Sequence, residues 1–498
     1  MSYNTYLGKR GYCIYKNNLS VKEQEYIRKE LTVKPFIPNS SPFQNVQSYS
    51  IYKESIKKFY LPRYFGINTF GQPNEIKINK GININVKFNG TLKERQYYIA
   101  NKFLNHINNN NYGGLLDLYT GSGKTVLALY LLSIIQKKTL IIVHKGFLLD
   151  QWIERINEFC PESKIGQIQG QIIDIDGKDI VIGMLQSLSM KEYPTNQFDS
   201  FGFTILDECH HLGAEVFCKA LYKIGTKYML GLSATMKRKD GLTKVFKLFL
   251  GEVVVKKERK GEDNVLVKAI HYCSMDERFS CEERDYRDQL KYSSMIKKLC
   301  EFNPRREFIL DVLKYTLNEG SEDQQIMILG HNKTLLNYLH DAIKHRKIAG
   351  GDVGYYIGGM KEEKLKESET RKVIIGTYAM AEEGLDIKSL TTLLMATSKP
   401  DVTQAVGRIL RKKRKQALVV DIVDMHAVFQ RHFSKRKTFY RKQKFLVKET
   451  SMYGFRNDDW KITVKKNQSV SKSNKKKFID KNNPFHMQGK CLIDLTDI

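Results

Sequence analysis

Cysteine is sparse in this chain, and its scatter excludes a disulfide framework or a zinc ribbon. The 498 residues hold eight cysteines, at 13, 160, 209, 218, 273, 281, 300 and 491, with no C-x-x-C pair. Isolated thiols of this kind point to a reducing compartment. Long apolar runs are also missing. None approaches the roughly 18 residues that span a bilayer, so no membrane partner is expected. The opening MSYNTYLGKRGYCIYKNN contains no apolar stretch, and no secretory signal is expected there. Acidic residues are in deficit, 54 against 82 Lys and Arg, for a formal charge of +28. That surplus points to a polyanion, most simply a nucleic acid. Hydrophobic residues at 41% and aromatics at 11% rule out a wholly disordered chain. The length suggests about two to four domains.

Four stretches separate along the chain. Residues 1–90 mix short β-like runs (SYSIYKESIKKFYLP, EIKINKGININVKF) with Pro and Gly turn signals, which predicts a small accessory domain. Over 91–258 the runs LLDLYTG, TLIIVH, DIVIGM and FTILDE have the apolar character of central parallel strands. Helical segments such as KTVLALYLLSII and FLLDQWIERINEF alternate with them, so this stretch is assigned to an α/β domain. A second α/β series (QQIMILGH, VGYYIGG, KVIIGTY, TTLLMATS, ALVVDIVD) assigns 259–450 to a second domain, with 259–300 as a hinge or insert. From 451 to 498 the polar, lysine-rich composition predicts a basic tail.

Three constellations carry chemistry. Thr120, Gly121, Ser122, Gly123, Lys124 and Thr125 lie between an apolar strand and a helix, the setting in which backbone N–H groups cradle phosphates. The glycines allow close approach, Lys124 suits the β- and γ-phosphates, and the Thr125 hydroxyl suits Mg²⁺. Leu118 stands where the strict pattern has its first glycine; a glycine-rich turn is the plain alternative. Asp207 and Glu208 close the strand FTIL, placing two acids at the crevice of an α/β sheet. Asp207 suits Mg²⁺, and Glu208 suits orienting or deprotonating a water; the alternative is a helix cap. Gln404, Gly407, Arg408 and Arg411 open a helical stretch in the second series. Arginines three apart share a face and could stabilise a transferring phosphoryl group; a solvated basic stripe is the competing reading.

In order and spacing these segments resemble the superfamily 2 helicases and translocases, over about residues 91–445. Leu92 to Gln96 resemble the motif whose glutamine, here Gln96, reads adenine. Thr120–Thr125 match motif I, whose family form A-x-x-G-x-G-K-T needs no first glycine. Asp207–His210 match motif II in its D-E-x-H form, and Ser233, Ala234 and Thr235 match motif III. Gly376-Thr377 and Glu383-Gly384-Leu385-Asp386 resemble motif V, and Gln404–Arg411 motif VI. The stretch Leu230–Thr235 followed by Arg238-Lys239-Asp240-Gly241, and Gln151-Trp152 after the strand Leu140–Val143, are similar to the XPB-like branch. So are Tyr52–Ser55 and Phe59–Tyr64. That branch includes restriction-enzyme motor subunits and the transcript-release helicases of poxviruses and other large DNA viruses, the type this chain fits best.

The resemblance implies two tandem RecA-like domains with ATP and Mg²⁺ between them. Gln96 would contact adenine, Gly384 and Asp386 the nucleotide, and Ser233 and Thr235 would couple the ATP state to the strand. Gln404, Arg408 and Arg411 would sense the γ-phosphate. Nucleic acid would cross both domains near Lys145, Gln186, Ser187, His331, Asn332, Gly358, Gly359 and Thr377, each with an ordinary loop or capping alternative. DNA is favoured over RNA, with transcription machinery as a protein partner. The segment Arg431–Lys448 carries eight basic residues, no acid and four interleaved aromatics. It suits phosphate contact and base stacking, or else a terminal helix that packs its aromatics inward. A non-catalytic nucleic-acid-coating protein is the rival from another class, and the full set of hydrolytic groups stands against it.

Overall fold

A computed structural model gives the fold and describes residues 3–36, 47–209, 214–234, 242–258, 264–383, 387, 389–409 and 416–465. Its frame is three larger sheets in chain order, with a two-stranded one of Thr32–Val33 and Tyr49–Ser50 beside the first. The first has five strands, ordered Lys53–Glu54, Lys58–Leu61, Gly11–Tyr15, Thr5–Gly8, Glu75–Ile76. Its core is continuous with one face of the second sheet: Tyr12, Ile14 and Phe59 pack in one cluster with Phe217, Leu221 and Phe249. Arg63, 4% exposed, fastens the two by donating to the carbonyls of Thr226 at 2.6 Å and Lys227 at 2.8 Å. The Tyr222 hydroxyl adds a bond to the Ile51 carbonyl at 2.8 Å.

The second sheet has eight strands. Its order is Ile172–Ile173, Ile165–Gln169, Ile180–Met184, Thr139–Val143, Phe203–Leu206, Tyr228–Ser233, Gly113–Leu118, Val253–Lys257. All neighbours are parallel except the first pair, which is antiparallel. Thr139–Val143 and Phe203–Leu206 are buried at every position, as strands covered on both faces must be. Helices Lys124–Ile135 and Gly146–Phe159 supply Leu127, Leu131, Leu148 and Trp152 to one covering core.

The third sheet repeats the plan, ordered Val353–Tyr356, Val373–Thr377, Ile326–Gly330, Thr392–Met395, Ala417–Asp424, Val265–Tyr272, Leu446–Ser451, Lys461–Val464. Only the last pair is antiparallel. Two expectations are corrected here. Val265–Tyr272, inside the stretch read as a hinge or insert, is an inner strand paired along its length with Ala417–Asp424. The sheet also runs on to Val464, into the stretch read as tail, because Lys461–Val464 pairs with Leu446–Ser451.

The basic segment resolves towards packing. Phe433, Tyr440 and Phe445 are buried in the core of the third sheet. Arg436 is buried with them, its Nε 2.8 Å from Asp421 Oδ2 and its Nη2 2.9 Å from Oδ1. Arg436 is therefore not a phosphate contact; Arg431, Lys435 and Arg441 on the same helix remain exposed.

Candidate functional site

Parallel strands put all their C-terminal ends on one edge, and the residues singled out in the sequence gather on that edge. Gly113–Leu118 ends at the glycine loop, and helix Lys124–Ile135 starts directly after it. Gly121 and Gly123 both have φ of 83°, the left-handed region that favours glycine. At Gly123 a Cβ would lie 2.4 Å from Gln96 Nε2, so a side chain there would have to displace Gln96 as well as adopt the left-handed backbone. Gln96 is buried against the loop, its Nε2 donating to the Ser122 carbonyl at 3.3 Å while its Oε1 accepts from the Lys93 N–H at 2.9 Å. The Ser122 hydroxyl is buried without a partner.

Two strands away, Leu206 pairs with Ile142 on one side and Gly231 on the other, which sets Asp207 and Glu208 facing the loop. Lys124 Nζ lies 2.7 Å from Glu208 Oε1, both side chains mostly shielded. Glu208 Oε2 accepts from the Ala234 N–H at 3.4 Å, so the end of the Tyr228–Ser233 strand joins the same cluster. Glu208 adopts φ of 45°, a left-handed backbone uncommon outside glycine and characteristic of functional positions. Asp207 Oδ1 accepts its neighbour's N–H at 3.0 Å, and Oδ2 accepts the Trp152 indole N–H at 2.9 Å. Burial, and then the adjacent Glu208 charge, push the Asp207 pKa up; a bound cation would reverse that.

The donor chemistry fits Mg²⁺ and a polyphosphate. Mg²⁺ takes hard oxygens, using one or two carboxylates and completing its shell with water and substrate phosphates. The Thr125 hydroxyl and Asp207 are such donors, and among the described residues no group of three or more His, Cys, Asp or Glu forms an all-protein cage. The unpartnered Ser122 hydroxyl beside the glycine loop suits an anion.

The second α/β unit closes over this edge. Helix Thr403–Ile409 brings Gly407 against the loop, where a Cβ would stand 3.3 Å from Thr120 Cβ. A cleft between the units is lined by Tyr119, Thr120 and Ala234 on one side and by Gln404, Gly407 and Phe439 on the other. Arg408 belongs to that helix, but its side chain is outside the described set. Thr235, Gly384, Asp386 and Arg411 lie outside the described residues.

The nucleic-acid candidates sit at the C-terminal edges of both large sheets. Lys145 stands at the N-terminal boundary of helix Gly146–Phe159. Gln186 is exposed, donating to the His144 carbonyl at 3.4 Å, and Ser187 Oγ accepts the Gly170 N–H at 3.0 Å. On the other sheet, His331 follows Ile326–Gly330 with Nδ1 2.8 Å from Thr397 Oγ1. Thr377 ends Val373–Thr377, and Gly358 and Gly359 are exposed with open space around them. Asn332 has the capping alternative, its Oδ1 accepting the Thr334 N–H at 2.7 Å. Three contacts were not read from the sequence: Trp152 on Asp207, the Ala234 N–H on Glu208, and Arg95 Nη1 on the Tyr119 hydroxyl at 2.6 Å beside the loop. Arg95, Trp152 and Ala234 each fell within a stretch that carries the family resemblance, but the contacts they make were not legible there.

Two parallel sheets in tandem, with a glycine loop and acid pair on the first and a glycine-containing helix of the second closing on it, define a RecA-like tandem motor. Residues 89–238 match the family described as type III restriction enzyme, res subunit. A mimivirus protein (Acanthamoeba polyphaga mimivirus), provisionally named an ATP-dependent RNA helicase, is 33% identical over 462 residues, covering 89% of this chain and 86% of that one. The DNA 3'-5' translocase XPB2 of Sulfurisphaera tokodaii is 26% identical over 348 residues, 62% of this chain and 77% of that one. A solved type ISP restriction-modification enzyme bound to DNA, LlaBIII, has a TM-score of 0.51 at 14% identity, covering 73% of this chain and 32% of that one. The chain belongs to the superfamily 2 DExH helicases. Within them it is of the XPB-like kind carried by large DNA viruses.

Proposed function

We propose that this helicase is a nucleic-acid-stimulated ATPase that tracks along DNA, serving transcript release or repair in a viral cycle inside a reducing host compartment. The observation that carries the reading is the Lys124–Glu208 pair at 2.7 Å, with the Gly407 helix packed on Thr120 from the other unit. Lys124 exchanges Glu208 for the β- and γ-phosphates when nucleotide enters, and the released Glu208 orients the attacking water. Thr125 and Asp207 would hold Mg²⁺, which would supply charge neutralisation at the phosphates. Gln96 turns to adenine, and Gly384 and Asp386 contact the nucleotide. Gln404, Arg408 and Arg411 bear on the γ-phosphate from the second unit, which makes closure depend on its presence. Ser233 and Thr235 relay that state to the strand-binding edges at Lys145, Gln186, Ser187, His331, Gly358, Gly359 and Thr377.

K124A or E208Q should abolish nucleic-acid-stimulated hydrolysis while leaving nucleic-acid binding; wild-type turnover in either would sink the reading. R411A should spare ATP binding but slow single-turnover hydrolysis, and unchanged rates would remove Arg411 from that role. A second reading, an RNA helicase on the same engine, is favoured by the name of the mimivirus relative. ATPase stimulation and strand displacement on matched tailed DNA, RNA and hybrid duplexes separate the two, since a DNA tracker needs no 2′-OH reader.

A further inference from the structure

We infer that Trp152 is a positioning residue for this ATPase, its indole N–H fixing the Asp207 carboxylate in the orientation that receives Mg²⁺-nucleotide. The inference rests on the ATP-site reading above. Helix Gly146–Phe159 follows the Thr139–Val143 strand and buries Leu148, Leu149, Trp152 and Ile156, the spacing of one helical face. Asp207 follows the adjacent parallel strand, and its own N–H donates to the Ile142 carbonyl at 3.1 Å. The helix returning over the first strand therefore delivers the indole to the acid at the end of the second. The contact is 2.9 Å long and joins residues that are 1% and 7% exposed.

A purely packing role would be met by any large apolar side chain at this place, with no donor required. Trp152 instead directs its one polar atom at the acid of the cluster. Because the Glu208 N–H takes Oδ1 at 3.0 Å, each carboxylate oxygen is held by one fixed donor, which sets the carboxylate plane. Each oxygen keeps further acceptor capacity for other ligands. Outer partners that hold a metal-ligating carboxylate typically cost about 10–100-fold in metal affinity or activity when removed.

The test reads metal linkage, not turnover alone. W152F should bind a fluorescent ATP analogue in EDTA as the wild type does. The Mg²⁺ concentration that half-saturates the tightening of that binding should rise roughly tenfold. The same shift is expected with β-(3-benzothienyl)alanine at 152 in a W460F background, which keeps the ring shape and removes the N–H; this variant decides the matter if W152F fails to fold. D207A is measured alongside. If it shifts the Mg²⁺ dependence while both Trp152 replacements keep the wild-type curve, the positioning role is refuted and the ATP site stands. If D207A also keeps the wild-type curve, the ATP-site reading falls and takes this inference with it.

Discussion

Replacing Arg436 with methionine sets two accounts of the basic Arg431–Lys448 segment against each other. In the folded protein Arg436 is 1% exposed and makes a two-point pair with Asp421 at 2.8 and 2.9 Å. Its Nη1 also donates to Ser398 Oγ at 3.1 Å and to the Lys399 carbonyl at 2.8 Å. R436M leaves Asp421 buried with the Tyr440 hydroxyl at 3.2 Å and no compensating cation. Breaking a buried pair from one side costs about 3–5 kcal/mol, or roughly 6–20 °C in the melting of a domain of this size. Trp460 packs against a core of the same sheet, so its emission can follow the transition in urea or heat. D421N combined with R436M should recover part of the loss, because no unpaired charge is then left behind. Had Arg436 been a phosphate contact, stability would hold and the slope of log affinity against log salt would fall by about 0.9. Exposed Lys435 supplies the contrasting control, with K435A lowering the slope and sparing the melt. An R436M protein within about 1 kcal/mol of wild type would refute the reasoning.

Other perturbations have defined outcomes. G123A places a Cβ 2.4 Å from Gln96 Nε2 on a backbone with φ of 83° and should weaken nucleotide binding at least roughly tenfold, measured by fluorescent-analogue titration. Burial alone would push the Glu449 pKa up, but hydrogen bonds from His271, Lys437 and Thr463 outweigh it and hold it at about 2. Its folded pKa lies below the unfolded one, so the stabilisation is full above about pH 5. It disappears as pH falls towards 2, and amounts to about 3 kcal/mol at most. E449Q should be less stable than wild type at pH 7, with the gap in urea midpoints closing through that window. Deleting 466–498, which carries seven lysines against three aspartates, should weaken nucleic-acid binding and flatten its salt dependence while sparing basal ATPase; loss of basal ATPase would give the segment a structural role.

The buried parallel strands were legible because their apolar runs are unbroken, as in TLIIV and FTIL. Their lateral order was not, since neighbours in the sheet are set by tertiary packing of strands far apart in sequence. Val265–Tyr272 escaped for a definite reason: its burial alternates, and its polar residues Lys268 and His271 find partners in Glu319 and Glu449. A strand interrupted in this way reads like charged linker. Lys461–Val464 is too short, with one buried residue, to stand out from a lysine-rich stretch. Arg436 could have been read, because residues 429, 433, 436 and 440 recur at helical spacing and all four are buried. Composition drew attention to its charge and away from its place on the inner face. In the site, the glycine loop and acid pair were legible as local strings. The Trp152–Asp207 bond was not, because it joins a helix to the neighbouring strand across 55 positions.

The contacts between the two motor units bear on how a nucleotide could control them. Across the described interface the ion pairs are Lys366–Glu154 and Lys442–Glu258, both at 2.7 Å and both with side chains more than half exposed. Exposed pairs contribute little and are screened by salt. A closer contact sets the bare backbone of Gly407 against Thr120, and Phe147 packs with the cores of both units. A γ-phosphate gripped from both sides would add to these contacts only in the closed state, and so can shift the balance towards it. G407L would prop the cleft open at the loop itself, so it should reduce hydrolysis far more than nucleotide binding to the first unit. K366A with K442A should leave both nearly unchanged. If G407L instead hydrolysed ATP at the wild-type rate, the cleft between Thr120 and Gly407 would not be where the cycle closes.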